Sequence, residues 1–329
     1  MLKVAVVGTG WWGKELAGAA AALPEVIELA GCYSLSEKEC AEFAKAFGGR
    51  IYASYDEILA DRSVGAVLLA TPHSTHCEQI VQAAAAAKNV FCEKPLTLSV
   101  ETANRAITAC RNAGVVLAVG HNRRYLQSVK RLKSLVDSGE CGRVLHVEAN
   151  YSGNGGLRYP AGHWRSQRSE MPSGGIAPMA LHAVDTFTWI LGPITRLMSI
   201  AKRQVVPVDI DDTSVTVFEL ENGITGTLGS LMAVPTSSYV RIYGTQAILD
   251  ARSNFSELTI LPVEPGRPQV RELYTIDDSL QNELRALADA CAGTSPYPLS
   301  PEEARRNVAV VEAIRTSAEA GGTWVRVAA

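Results

Sequence analysis

The stretch Leu2-Lys3-Val4-Ala5-Val6-Val7-Gly8-Thr9-Gly10-Trp11-Trp12-Gly13-Lys14-Glu15-Leu16 decides how the first third of the chain is read. Val4 to Val7 is a short apolar run of the kind that forms a strand buried on both faces. Gly8, Gly10 and Gly13 follow at once, and then a helix-forming segment. Strand, glycine turn and helix in this order hold the pyrophosphate of a dinucleotide. Gly8 permits the tight turn, Gly10 lets the backbone approach the phosphates, and Gly13 lets the helix pack close to its strand. The N–H groups at the helix start then face the negative charge. Thr9, Trp11 and Trp12 belong to the same turn, with Trp12 placed to shape the floor of the cleft.

The alternation continues. Helices are predicted over 12–23, 37–47, 55–60, 75–87 and 99–113, and strands over 26–32, 66–70, 89–92 and 115–119. Strands separated by such helices mean a parallel sheet with right-handed crossovers, so residues 1–122 are expected to form a Rossmann domain. Ligands of these sheets bind beyond the carboxyl ends of the strands. Polar clusters stand at those ends: Thr71-Pro72-His73-Ser74-Thr75-His76, Glu93-Lys94-Pro95 and Gly120-His121-Asn122-Arg123-Arg124-Tyr125.

The second strand ends Cys32-Tyr33-Ser34-Leu35-Ser36, with no carboxylate before Glu37. An acid at that end would bond the ribose 2′-hydroxyl of NAD. Without it a 2′-phosphate is not repelled, and Ser34, Ser36 and Lys38 can donate to it. The balance favours NADP over NAD, although no arginine stands there to clamp the phosphate. The same serines also suit the N-cap of the helix from Glu37.

From about Arg143 the texture changes. Residues 144–151 alternate as a strand, a glycine-rich loop runs over 152–175, and 176–191 reads as one helix. Strand-like runs follow at 194–202, 213–220, 224–231, 240–243, 247–250 and 258–261 without intervening helices. Asn222-Gly223 is a hairpin turn, and helices close the chain at 280–292 and 301–320. Residues 123–329 are therefore expected to form an α+β domain, with a large, mostly antiparallel sheet and helices on one face.

At 329 residues the chain is long enough for both domains to have a core. Its net charge is −3 and it carries no lysine or arginine block, which argues against nucleic acid or an anionic membrane as partner. No apolar run approaches the ~18 residues that span a bilayer, and the N-terminus enters the first strand without a leader pattern. The seven cysteines are scattered and form no Cys-x-x-Cys pair. That argues against a metal site or a disulfide framework and fits a reducing cytoplasm.

Taken in order, these clusters resemble the family of glucose–fructose oxidoreductase, inositol dehydrogenase and rhizopine-catabolism proteins (Gfo/Idh/MocA), which includes dihydrodiol dehydrogenase-like proteins. The resemblance covers essentially the whole chain, and Glu93-Lys94-Pro95 is its most specific part. It implies an NAD(P)-dependent dehydrogenase or reductase, transferring a hydride between a nicotinamide and a carbon bearing oxygen. Lys94 would handle the hydroxyl proton between the nicotinamide ribose and the substrate. Thr71, Pro72, His73 and His76 would line the cofactor cleft, with Glu93 and Asn122 beside them. His76 has a plainer alternative, bonding a backbone group at the start of its helix. His121 and Arg123 would open towards the substrate, although Arg123 and Arg124 could instead pair with carboxylates across the domain boundary.

Family members commonly carry an Asp four residues before a helical His. His182 matches that His as the second catalytic residue, but position 178 is a proline. Asp185, on the same helix face, is then the candidate to orient the imidazole. The preceding loop carries Arg158, Tyr159, His163, Trp164, Arg165 and Arg168, a cationic wall suited to carboxylates or phosphates. The expected substrate is thus a small molecule, possible anionic forms included: a polyol, sugar, sugar acid or carboxylated cyclic diol. A reductase of another acceptor on the same fold and a non-catalytic NAD(P) sensor are the alternatives. The resemblance also implies a homodimer or homotetramer through the C-terminal sheet.

Overall fold

The computed structural model describes residues 1–275 and 278–329. The chain forms two compact units, one of residues 1–122 with 278–305 and one of 123–277 with 306–329. This differs from a single block over 123–329, because the segment 278–305 returns to the first unit.

In the first unit, strands β1 (Leu2–Val7), β2 (Ile27–Tyr33), β3 (Arg50–Ile51), β4 (Ala66–Leu69), β5 (Asn89–Glu93) and β6 (Leu117–Gly120) make one sheet in the order 3-2-1-4-5-6. Every pair in it is parallel. Helices α1 (Trp11–Ala21), α2 (Glu37–Phe47), α3 (Tyr55–Ala60), α4 (His76–Ala85) and α5 (Val100–Ala113) link the strands. Strand order reverses at the β1/β4 pair, the switch point where ligands of such sheets bind. Local chemistry starts the helices: Ser36, Ser54 and Ser99 each cap one by accepting an N–H three residues on. The returning helix α8 (Ser279–Cys291) buries Leu284, Leu287 and Ala288 in the same core as Leu16, Ala17 and Ala20 of α1.

In the second unit, β7 (Val144–Ser152), β8 (Ile194–Lys202), β9 (Thr213–Leu220), β10 (Thr225–Leu231), β11 (Ser237–Gly244), β12 (Ala247–Arg252), β13 (Glu257–Pro262), β14 (Val270–Leu273) and β15 (Val325–Arg326) form one sheet. Its order is 14-13-12-11-7-10-9-8-15, and only the β7–β10 pair is parallel. Helices α6 (Gln127–Asp137), α7 (Leu181–Leu191) and α9 (Pro301–Glu319, of which the part from residue 306 belongs here) pack on the face carrying Val147, Val240, Ile242 and Leu249. Short β3, β14 and β15 and the helix α6 have no counterpart in the sequence reading.

The expected single helix over 176–191 is a π turn, Ile176–Ala180, followed by α7. Pro178 stands in the first turn of this segment, where a missing N–H leaves no intrahelical bond unmade. The Gly175 carbonyl accepts from both Met179 and Ala180, each at 3.0 Å. All seven cysteines are free thiols, six of them buried. Among the described residues no helix is long and apolar enough to cross a membrane.

Candidate active site

The glycine turn has the geometry its sequence demands. Gly8 adopts φ +93°, and a Cβ there would lie 2.5 Å from the Ala70 carbonyl oxygen and 3.2 Å from the Thr71 methyl. The turn after β1 therefore sits directly on the end of β4. A Cβ on Gly13 would overlap the Gly8 carbonyl oxygen, so α1 packs against its own turn. Gly10 is different, because a Cβ there would meet nothing within 4 Å. It is the N-cap of α1 and offers no side chain to the helix's first N–H groups. Thr9 is fully buried, yet its Oγ1 has no hydrogen-bond partner among the described residues, and the same holds for Trp12 Nε1. Bare helix N–H groups, open space over Gly10 and unmatched polar atoms in the turn are what a dinucleotide pyrophosphate would complete. Trp11 is 71% exposed and meets Trp12 edge-to-face, with ring centroids 5.2 Å apart.

At the end of β2, the Tyr33 carbonyl accepts from Gly8 N–H at 2.8 Å. Ser36 Oγ accepts from Glu39 N–H at 3.3 Å and Ser34 Oγ from Ser36 N–H at 3.4 Å. Both serines serve as local caps by accepting, which leaves each hydroxyl hydrogen able to donate. Lys38 is exposed beside them.

The ends of β4, β5 and β6 stand side by side. Thr71 Oγ1 donates to Gln79 Oε1 at 2.6 Å. His76 is fully buried, with Nδ1 3.0 Å from the Pro95 carbonyl oxygen and Nε2 3.1 Å from that of Thr71. Its expected role as a cofactor contact is corrected: the ring ties the Thr71 turn to the Lys94-Pro95 turn, which is joined by a cis peptide bond. His73 is also buried. Glu93 is 7% exposed and its Oε2 accepts from Lys94 N–H at 3.3 Å. Gly120, beside it on β6, leaves room for that carboxylate, since a Cβ there would lie 2.8 Å from Oε1. Lys94 itself is half-buried, and His121 and Asn122 are buried. Asn122 Nδ2 donates to Ser279 Oγ at 3.1 Å on the returning segment, while its Oδ1 has no partner among the described residues.

In the second unit, His182 opens α7 at 7% exposure, with its ring centroid 5.8 Å from that of Tyr151. Asp185 is corrected as a substrate contact. It is fully buried and accepts from Arg124 through Nε at 2.9 Å and Nη2 at 2.8 Å, and from Asn307 Nδ2 at 2.8 Å. Arg124 thus finds its carboxylate inside its own unit. Arg123 donates to Tyr151 OH at 3.1 Å.

Two arginines of the cationic loop have partners within the second unit. Arg168 is held by Asp211 at 2.6 Å and Arg158 by Asn154 Oδ1 at 2.9 Å. Burial and the Arg165 guanidinium push the His163 imidazole below its ordinary pKa. Its Nδ1 accepts from Arg165 N–H at 3.1 Å, so the ring is neutral with the hydrogen on Nε2. What remains is a layered stack. Tyr159 lies on His163 (6.1 Å), His163 on Trp164 (5.8 Å), and the Arg165 guanidinium over Trp164 (4.0 Å). Tyr151 and Asn254 were missed in the sequence, where a strand tyrosine and a turn asparagine carry no signal of their own.

Residues 2–121 match the family described as "Oxidoreductase family, NAD-binding Rossmann fold" and residues 129–250 match the "GFO/IDH/MocA C-terminal domain". The chain belongs to the Gfo/Idh/MocA oxidoreductases, and it is an enzyme of the NAD(P)-dependent dehydrogenase type. The glucose-6-phosphate 3-dehydrogenase of Bacillus subtilis is 32% identical over 58% of this chain, a match that spans 54% of that protein. The myo-inositol 2-dehydrogenase of Thermotoga maritima is 28% identical over 82% of each chain. A crystal structure from Desulfitobacterium hafniense superposes with a TM-score of 0.93 at 27% identity, covering 99% of this chain and 97% of that one.

Proposed function

We propose that the chain catalyses hydride transfer between a nicotinamide dinucleotide and a hydroxyl-bearing carbon of a sugar or polyol, sugar acids and carboxylated cyclic diols included. The observation that carries this reading is the row of turns at the ends of β1, β4, β5 and β6, where Lys94 and buried Glu93 stand in line with the glycine turn. The cofactor, when bound, supplies the hydride acceptor or donor. Lys94 takes the hydroxyl proton as the alcohol is oxidised and returns it in the reverse direction. Glu93 holds its carboxylate against Gly120 and is assigned to the cofactor ribose. His182 is assigned to a substrate hydroxyl in the second unit, with no acidic residue at position 178 to share the task.

Arg165 is the group that would add affinity for a carboxylate. The names of the relatives, a glucose-6-phosphate and a myo-inositol dehydrogenase, point to the same substrate class. The test follows nicotinamide absorbance across a panel of neutral sugars, polyols, sugar acids and dihydrodiols. At least one sugar or polyol should be oxidised, and Lys94→Ala should lower kcat on it by about 10²–10⁴-fold with cofactor Kd retained. Near-native turnover in that variant defeats the assignment of Lys94.

A further inference from the structure

We infer that Tyr151 is a positioning residue for His182 and that the strained turn at Ser253, Asn254 and Phe255 serves to hold it, which rests on the role proposed above for His182. Every part lies within the second unit. The Tyr151 ring is tilted 40° to the His182 imidazole at 5.8 Å. Its hydroxyl is fixed from two sides, donating to Asn254 Oδ1 at 2.6 Å and accepting from Arg123 Nη2 at 3.1 Å. A guanidinium donor on the hydroxyl oxygen polarises the O–H towards Asn254, so the two bonds strengthen each other. A ring tethered in this way presents the imidazole with a fixed wall.

The tether is built at a conformational cost. Ser253, Asn254 and Phe255 have φ +51°, +56° and +66°, the left-handed region, and none is glycine. Asparagine tolerates this region, whereas a bulky phenylalanine does not. A short glycine turn would join β12 to β13 without strain. The surroundings nevertheless enforce the turn. Phe255 is 3% exposed in the core, Asn254 N–H donates to Ser238 Oγ at 2.7 Å, and Tyr274 N–H closes on the Ser256 carbonyl at 2.8 Å. What the strain delivers is a carboxamide within reach of Tyr151, and strain of this kind clusters where placement matters.

The test reads the His182 ring nitrogens by NMR in the full chain without ligand, their signals identified by their loss in His182→Gln. Tyr151→Phe and Asn254→Gly should shift and broaden them. Asn254→Gly keeps the left-handed backbone while removing the carboxamide. Asn254→Asp, which keeps the acceptor, should restore them. Tyr243→Phe serves as a control that removes another sheet hydroxyl, one bonded to Glu148 at 2.7 Å. His182 signals that move no further in Tyr151→Phe and Asn254→Gly than in Tyr243→Phe overturn the inference, and the asparagine variant decides it alone if Tyr151→Phe does not fold. On a substrate that the native chain oxidises, Tyr151→Phe should lower kcat by up to about 100-fold, the cost of a displacement on the order of 1 Å, with cofactor Kd unchanged. Native turnover in His182→Ala removes the catalytic role of His182, while the NMR comparison still decides whether Tyr151 orients the ring.

Discussion

Replacing Gly10 with alanine probes the phosphate turn while leaving the fold alone. Gly10 has φ −63° and ψ −173°, backbone that any residue adopts, and an added Cβ meets nothing within 4 Å. Two small stability effects oppose each other. Alanine restricts the unfolded chain, contributing about 0.4–1 kcal/mol, and it is a poorer N-cap than glycine by a similar amount. The net change should stay within about 1 kcal/mol, moving Tm by no more than about 2–4 °C. Binding should respond on another scale. The methyl occupies the space over the bare N–H groups of α1 and holds a pyrophosphate away from them. Losing two hydrogen bonds to a charged group, at about 1.5–3 kcal/mol each, weakens Kd roughly 10²–10⁴-fold.

Gly13→Ala should do the reverse. Its Cβ lies 3.0 Å from the Gly8 carbonyl carbon and closer still to the oxygen, backbone against backbone. Overpacking of that kind costs about 1–3 kcal/mol or more and should lower Tm. Calorimetric titration with NADH and NADPH, run beside thermal melts, separates the two variants. A Gly10→Ala chain that melts like the native one and binds either dinucleotide with native affinity refutes the placement of the pyrophosphate.

Other outcomes follow from single groups. Asp185→Asn leaves Arg124 buried without its carboxylate, the two side chains being 4% and 1% exposed; stability should fall by about 3–5 kcal/mol, and an unchanged denaturation midpoint would count against the buried pair. Burial pushes the Asp212 carboxyl up, but the N–H groups of Val205, Val206 and Gln204 and the Thr213 hydroxyl outweigh it and hold its pKa below the ordinary value. A depressed folded-state pKa contributes stability above about pH 4 that is lost as pH falls through the folded value. The stability gap between native and Asp212→Asn chains, measured by melts across pH, should therefore close in acid; a constant gap contradicts it. With no carboxylate at the end of β2, KM for NADP should be lower than for NAD, and a strong NAD preference reverses that expectation.

The first unit was legible because its clues are local. Each strand, its turn and the next helix lie within a short run, and Ser36, Ser54 and Ser99 announce their helices at the position where they cap them. The pairings that correct the site are long-range. Arg124 reaches Asp185 across 61 residues, Asn307 reaches it across 122, and Tyr151 reaches Asn254 across 103. Such partners follow from the fold and leave no trace in spacing. The same holds for α8, whose apolar stripe says that it is buried but not that Leu284 and Leu287 share a core with Leu16 and Ala17. Position 178 shows the limit most sharply. Placing a partner four residues before His182 assumes that both sit on one unbroken α-helix, where i and i+4 share a face. That condition is not met, because the segment before His182 is a π turn in which Gly175 serves two donors. Position 178 offers His182 no acid, and the ring packed against the imidazole is that of Tyr151.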